Sequence, residues 1–482
     1  TDKTTEDKVP DELERYFLGE DKKGTSISEL INVDENGFTF IGNDIIPDAE
    51  TSIEFKQFSQ EESTIILKFK YKNGYYIVTA DETTDMTKTV KVAVKTTMFD
   101  TGKNVRDKMH NLIPEGTIIN NFDYSVNISI DAIEKYNGVP DLTKLTEANI
   151  VSLEESSFPI YMWAEKSGKT EIRNIYGITN ITDITEENEY SKRVETGKIY
   201  WWSESNSVYL NPDSSQMFTF LPYLTNIDGL KDMKTDYVVD MSGMFLTIGT
   251  KLSNIDALSG WNTSKVENMS SMFYRWPVPN TNSLSNVNAL LNWDTSKVKN
   301  MSSMFAGNDN LTNIDGLRNW NTSNVTDMRN MFGDGDGAGC AFTNLSAISN
   351  WNVENVTDMT GIFHNCIKLE DVSAILNWNI TEIATSMFDS CSNLKTITIP
   401  STITKISYDA FKGCTNLTKV KILATDATKF EVDSRTSGTV YDIASNSTIY
   451  VLSEEIKAKL EGSYNTSETT VEVVTLDQMN NL

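Results

Sequence analysis

Histidine is nearly absent from this sequence: among 482 residues only His110 and His364 carry an imidazole. That scarcity argues against a serine–histidine–carboxylate triad, zincin helices and histidine-rich metal sites. Cysteine is also scarce. Cys340, Cys366, Cys391 and Cys414 all lie in the C-terminal third, with no C-x-x-C pair. A small secreted domain held by disulfides would carry more, at closer spacing. The four read instead as a column of small buried residues. Long apolar runs are missing too. The longest is FPIYMW at 158–163, far short of the ~18 residues that suggest a membrane span. Positive charge is in deficit, with 42 Lys and Arg against 68 Asp and Glu, a net charge of −26. Nucleic acid and anionic lipid both need a concentrated positive face, so neither is an expected partner. Diffuse negative charge favours a soluble monomer. The opening TDKTTEDKVPDELERYF lacks the basic start and apolar core of a signal peptide. With Thr rather than Met at position 1, a trimmed precursor is expected.

What is present is repetition. MSGMF (241–245), MSSMF (269–273), MSSMF (301–305), MRNMF (328–332) and MTGIF (359–363) recur. A tryptophan precedes the final Phe of the last four by twelve residues: Trp261, Trp293, Trp320 and Trp351. Met233 takes that place before Phe245, and Trp378 continues the column. Apolar residues stand three, six and nine positions before each Trp, for example Leu317, Ile314 and Leu311 before Trp320. The unit is L-x-x-I-x-x-L-x-x-W-[ND]-[TV]-x-x-V-x-x-M-x-x-[MI]-F. Its starts fall at Leu224, Leu252, Leu284, Leu311, Phe342, Leu369, Leu394 and Leu417.

A unit of about 27 residues with one apolar face cannot bury that face alone, whereas stacked copies bury it against each other. The Trp column therefore reads as a core ladder rather than as a carbohydrate platform. The Asn or Asp after each Trp (Asn262, Asp294, Asn321, Asn352, Asn379) is expected to bond turn backbone between coils. From Asn393 the unit shortens to 23 residues: Leu394 to Leu417, Phe388 to Phe411, Cys391 to Cys414. Its alternating apolar residues read as short strands, ended at Pro400.

The 23-residue unit L-x-x-I-x-I-P-x-x-[IV]-x-x-I-x-x-x-A-F-x-x-C resembles the leucine-rich repeat of the BspA-like bacterial surface proteins. The W-N-T-S-x-V-x-x-M-S-x-M-F unit resembles a variant repeat of the same group. IYWWSESNSVYLNPDSSQMF (199–218) is similar to the entry into such arrays, and NSTIYVLSEEIKAKLEGSY (446–464) to their closing cap. The resemblance covers about 199–482. It implies a right-handed solenoid of leucine-rich-repeat type, with short strands and short helical or 3-10 segments. It also implies a non-enzymatic bacterial surface or secreted protein with adhesive roles, taking an extracellular protein or glycan as ligand. The secretion signal and the wall anchor or lipid-attachment cysteine of such proteins are not in this sequence.

The expected organisation is a mobile leader over 1–25, a small β-rich, sandwich-like module over 26–104, a mixed cap over 105–223, the array over 224–445 and a C-terminal cap over 446–482. Within the module, Ile65–Tyr71 and Tyr75–Thr79 flank Asn73-Gly74, a hairpin signal. Thr89–Lys95 and Ile53–Phe55 alternate as strands do. Asp131–Tyr136 and Leu142–Ala148 read as short helices, and PIYMW (159–163) as a buried strand.

No cofactor, metal site or catalytic residue is indicated. Ser167-Gly168-Lys169-Thr170 imitates the end of a P-loop, but Trp163 stands where the leading Gly is needed. Asp334 and Asp336 sit in a Gly-rich loop, and Ala338 fails the third ligand position of an EF-type site. Function is expected instead where the connections between repeats lengthen. Most have five residues. LTIGTK after Phe245 has six, YRWPVPNTNS after Phe273 has ten and GDGDGAGCA after Phe332 has nine. Insertions at one point of a repeat emerge on one side of an array. Tyr274, Arg275 and Trp276, of types that anchor interfaces, together with Asp334 and Asp336, are therefore the candidate binding residues. The alternative is a spacer that displays the N-terminal module; a glycan-acting enzyme ranks below both.

Overall fold

In a computed structural model of the chain, the described residues are Arg15, 31–34, 37–40, 54–61, 64–71, 74–81, 91–94, 97–112, 128–154, 156–171, 193–221, 223–248, 252–276, 284–333, 339–432, 447–461 and 469–482. They form two units. The first comprises 1–100, 150–161 and 202–209; the second comprises 101–149, 162–201 and 210–482.

The described residues of the first unit are mostly β-structure. Ile31–Asp34 and Gly37–Phe40 pair as a hairpin. Glu54–Glu61, Thr64–Tyr71, Gly74–Asp81 and Lys91–Val94 follow in chain order as a four-stranded antiparallel sheet. Tyr71 pairs with Gly74, so the hairpin expected around Asn73-Gly74 is present. The expected leader, apart from Arg15, lies outside the described residues.

The second unit opens with the helix Gly102–Leu112 and a three-stranded sheet. In that sheet Ile128–Lys135 lies parallel to Arg193–Ser203, with Ile160–Glu171 on the other side. Asp131–Tyr136, expected as a short helix, belongs largely to the first of these strands. Its Ala, Glu and Lys are helix formers, but Ile130, Ala132 and Ile133 are buried and the pairing to 195–201 decides the conformation. The second expected helix is two single 3-10 turns, Leu142–Lys144 and Glu147–Asn149, the first capped by the Asp141 side chain.

From Leu224 one coil recurs, built from corners rather than from strands. In six coils a 3-10 helix follows the opening residues: Asp228–Asp232, Asp256–Leu258, Asn288–Leu290, Asp315–Leu317, Ser346–Ile348 and Ser373–Asn377. Asn226, Asn254, Asn286, Asn313, Asn344 and Asp371 each accept the N–H two residues on, at 2.7–3.2 Å, and so turn the chain into that helix. Asn262, Asp294, Asn321 and Asn352 do the same after the Trp, at 2.9–3.2 Å. Their side-chain oxygens thus serve their own turn, while Asn262 Nδ2 donates to Asp236 Oδ1 of the preceding coil at 3.0 Å. A third such corner is made by Asp240, Asn268, Asn300, Asp327 and Asp358. It leads into a left-handed residue two before each ladder Phe: Gln216, Gly243, Ser271, Ser303, Asn330, Gly361, Ser386 and Asp409, with φ between +51° and +61°.

Coils are joined by ladders. Met269, Ser271 and Phe273 donate backbone N–H groups to the carbonyls of Asn300, Ser302 and Met304 in the next coil, at 2.8–3.0 Å, and the pattern repeats along the stack. Phe218, Phe245, Phe273, Phe305, Phe332, Phe363, Phe388 and Phe411 form one continuous stack with ring centroids 5.7–5.9 Å apart. The Trp column is buried as expected, with near-parallel rings 6.4–6.5 Å apart for Trp261–Trp293, Trp320–Trp351 and Trp351–Trp378. In the shorter units the corners give way to strands. Thr396–Ile399, Lys419–Ile422, Thr448–Val451 and Thr470–Val473 form a parallel sheet, the first ending at Pro400 as expected. Among the described residues no helix is long and apolar enough to cross a membrane.

Two substitutions test this packing. Phe305→Ala removes a ring gripped on both sides and is expected to cost about 3–5 kcal/mol, read as a lower urea midpoint by circular dichroism. Ser303→Val puts a branched side chain at φ +54° and is expected to cost about 1–3 kcal/mol. Ser303→Gly at the same place is expected to stay within about 1 kcal/mol of the parent.

Candidate functional site

The corner just after the Phe ladder is where the coils differ. In the short connections the second residue past the Phe is left-handed: Gly307, Asn365, Ser390 and Gly413, with φ from +60° to +76°. The third is buried and points back one coil. Cys366, Cys391 and Cys414 donate Sγ–H to the carbonyls of Phe332, Phe363 and Phe388, at 3.6, 3.2 and 3.0 Å. Cys340, displaced by its longer connection, reaches Phe305 at 3.5 Å. Asn308 fills the same place, its Nδ2 donating to the carbonyls of Phe273 and Phe305 at 2.9 Å. The four thiols are free and buried, as the column reading expected. Burial raises all four, Cys366 and Cys414 to about 12.

After Phe245 and Phe273 the corner is rebuilt. Thr247–Ile248 and Arg275–Trp276 continue as two short parallel strands, Thr247 beside Arg275 and Ile248 beside Trp276. Tyr274 is half-buried. Arg275, placed by the sequence in an exposed loop, is instead 0% exposed. Its Nη1 donates to the Gly307 carbonyl at 3.0 Å and to Asp309 Oδ1 at 2.7 Å. Burial pushes the guanidinium below its ordinary range, and the Asp309 carboxylate opposes that shift. Arg275 therefore clamps its coil to the next rather than projecting as an interface anchor. Its partner stands 34 residues away, beyond the reach of local sequence reading. Asp334 and Asp336 lie outside the described residues.

One further column crosses this corner. His364, Asp389 and Lys412 occupy the first position past the Phe in successive coils. His364 Nε2 lies 3.7 Å from Asp389 Oδ2, and Lys412 pairs with Asp409 at 3.3 Å. Ser390 is adjacent, but its Oγ donates to Asp389 Oδ1 at 2.8 Å. A serine bonded to the acid rather than to the imidazole is not set for base-assisted attack. Among the described residues no three His, Cys, Asp or Glu side chains are grouped to hold a metal ion.

Sequence reasoning missed the donors that fix one coil on another. Thr235, Thr263, Thr295 and Thr322 are almost fully buried and donate Oγ1–H to the carbonyls of Asn262, Asp294, Asn321 and Asn352 in the next coil, at 2.8–3.0 Å. The recurrent Thr of W-N-T was the available signal. Trp261, Trp293, Trp320, Trp351 and Trp378 donate Nε1–H to carbonyls of the preceding coil at 3.0–3.2 Å.

Two overlapping stretches, 197–289 and 278–402, match the family described as "Mycoplasma protein of unknown function, DUF285". No curated protein matches the chain. Among solved structures, a leucine-rich cell surface protein from Faecalibacterium prausnitzii A2-165 is similar at 16% identity, over 57% of this chain and 75% of that one, with a TM-score of 0.20. A likeness that slight carries no argument.

Two outcomes are expected from this corner. A thiol held protonated reacts slowly with alkylating agents, since the thiolate is the nucleophile. Iodoacetamide at pH 8 should label no cysteine in the folded chain and all four after unfolding in urea, counted by mass spectrometry. Because the folded thiols are raised, the stability they contribute is complete below the unfolded value of about 8.5 and declines as pH climbs towards the folded values. For the clamp, Arg275→Ala is expected to cost about 3–5 kcal/mol. Asp309→Asn should cost at least as much, because it leaves the guanidinium buried without its counter-charge. Denaturant unfolding of both variants checks the order.

Proposed function

We propose, on the premise that residues 197–402 are a BspA-like leucine-rich-repeat array, that this is a bacterial cell-surface or secreted recognition protein. It binds through its surface rather than catalysing a reaction, and its ligand is an extracellular protein or glycan. In this reading the stacked coils form a right-handed solenoid that presents the connections after Phe245, Phe273 and Phe332 on one side. Tyr274, Trp276, Asp334 and Asp336 are the residues proposed to meet the ligand there.

The observation that supports this most is the division of labour within each coil. The repeated Leu, Trp, Val, Met and Phe are turned inward and almost fully buried. The positions that vary in length and chemistry gather at the corner after the Phe. A scaffold with a fixed interior and variable edges suits recognition. The separate first unit favours a second reading, in which the array is a spacer that displays that unit.

The test is binding of the whole chain to a panel of matrix proteins and glycans. Binding that weakens on Tyr274→Ala supports the array reading. Binding that survives that change but is lost on deleting 26–100 supports the spacer. Silence across the panel removes recognition of such ligands as the function.

A further inference from the structure

The three-stranded sheet that precedes the array has two unlike faces. Ile130, Ile133, Met162, Ile199 and Trp201 are buried. The opposite face carries chemistry that neither the core nor the repeat explains. Tyr200 stands in register with Glu134, and Lys198 lies two residues before it on the same face. The rings of Tyr136 and Trp163 close on Tyr200: centroids are 5.7 Å apart for Tyr136–Tyr200, 5.9 Å for Trp163–Tyr200 and 5.1 Å for Tyr136–Trp163. Tyr136 and Tyr200 remain half-exposed.

Three carboxylates edge this aromatic group. Glu134 holds Lys198 at 2.7 Å, which uses the cation of the patch. Glu165 accepts from the Trp163 indole at 2.7 Å. Asp131 is the extra residue at the bulge opposite Gly197/Lys198. Its Oδ2 accepts from Ser167 at 3.4 Å, while its Oδ1 is enclosed and has no donor. A buried acceptor without a donor is costly and is normally matched.

We propose that this face docks an arginine- or lysine-bearing peptide segment of a partner protein. The inference rests on the recognition reading above and names the partner chemistry at a second surface. Ring geometry favours a cation over a sugar. A pyranose needs one open flat ring. Here Tyr136 and Tyr200 meet at 89°, Tyr136 and Trp163 at 59°, and Trp163 is only 8% exposed. Rings at such angles wall a corner, and a cation against several ring faces is held by their quadrupoles. A guanidinium or ammonium N–H also finds an acceptor in the exposed Glu165 carboxylate beside Trp163, while the enclosed Asp131 adds negative charge near Tyr200. The net charge of −26 attracts a basic segment over distance, and the aromatic corner gives it a seat.

The test is titration of the whole chain with a hexa-arginine peptide, beside a Gly/Ser peptide of equal length and maltohexaose. Hexa-arginine should bind, more weakly as salt is raised, and the two neutral probes should not. Tyr200→Ala should weaken binding about 3–10-fold. Tyr200→Phe, which keeps the ring, should stay within about twofold by the same reasoning. Glu165→Gln keeps the shape of the site and should also weaken binding, which guards against a misfolded Tyr200→Ala. The control Glu354→Gln/Glu370→Gln removes two exposed carboxylates of the array and should have little effect. Equal losses in the control and the site variants would mean diffuse charge alone and would overturn the proposal. So would unchanged binding in Tyr200→Ala, or capture of maltohexaose. A chain that binds a matrix protein but ignores hexa-arginine sinks this surface and leaves the recognition reading standing.

Discussion

Everything in the array depends on how one coil satisfies the carbonyls of the next. Most coils have too little strand to do this with a sheet: neighbours share isolated bridges such as Asn268 with Asn300. The remaining buried carbonyls are matched by side chains and corner N–H groups. The Trp indoles and Cys thiols donate backwards, and the Thr hydroxyls donate forwards. A buried carbonyl left unmatched costs free energy comparable to a lost hydrogen bond. The same few residue types must therefore recur at the same places, and the repeat is a chemical requirement as much as a packing one. Gly316 shows how tight the fit becomes: a Cβ there would run into the Val287 carbonyl of the coil before.

This explains which parts could be read from the sequence. Columns that act through bulk, such as Leu317, Trp320 and Phe332, announce themselves by spacing. The thiol column did so through its period, and the Asn73-Gly74 hairpin through local turn chemistry. The left-handed column was visible as Gly, Ser, Asn, Asp and Gln before M-F, I-F and A-F, but its residues are too varied to name a conformation. Asn262 and its equivalents were rightly placed at turns, but spacing could not tell that their side-chain oxygens cap their own turn while their backbone carbonyls take the Thr hydroxyl of the coil before. Asp131–Tyr136 misled because local propensity yields to pairing across a sheet. Arg275 misled because a lengthened connection suggests solvent, whereas its partner lies a full coil away.

The two surfaces considered for recognition differ in kind. The corner after the Phe ladder varies from coil to coil, although the residues it buries, such as Arg275, Asn308 and the thiols, bind each coil to its neighbour. The aromatic face of the preceding sheet is a single feature, made by Tyr136, Trp163 and Tyr200 and edged by carboxylates. Neither uses the Trp column, whose rings are buried and whose indole nitrogens are already engaged.

The direction of the ladders has a mechanical consequence. The bonds between coils run from each coil to the next, so tension applied along the stack loads them in series. Each interface then bears the full force, and the weakest opens first while the others stay intact. A released coil of about 27 residues lengthens the chain by roughly 90 Å when drawn out. A stack of this design, pulled from its ends, lengthens by shedding coils one at a time.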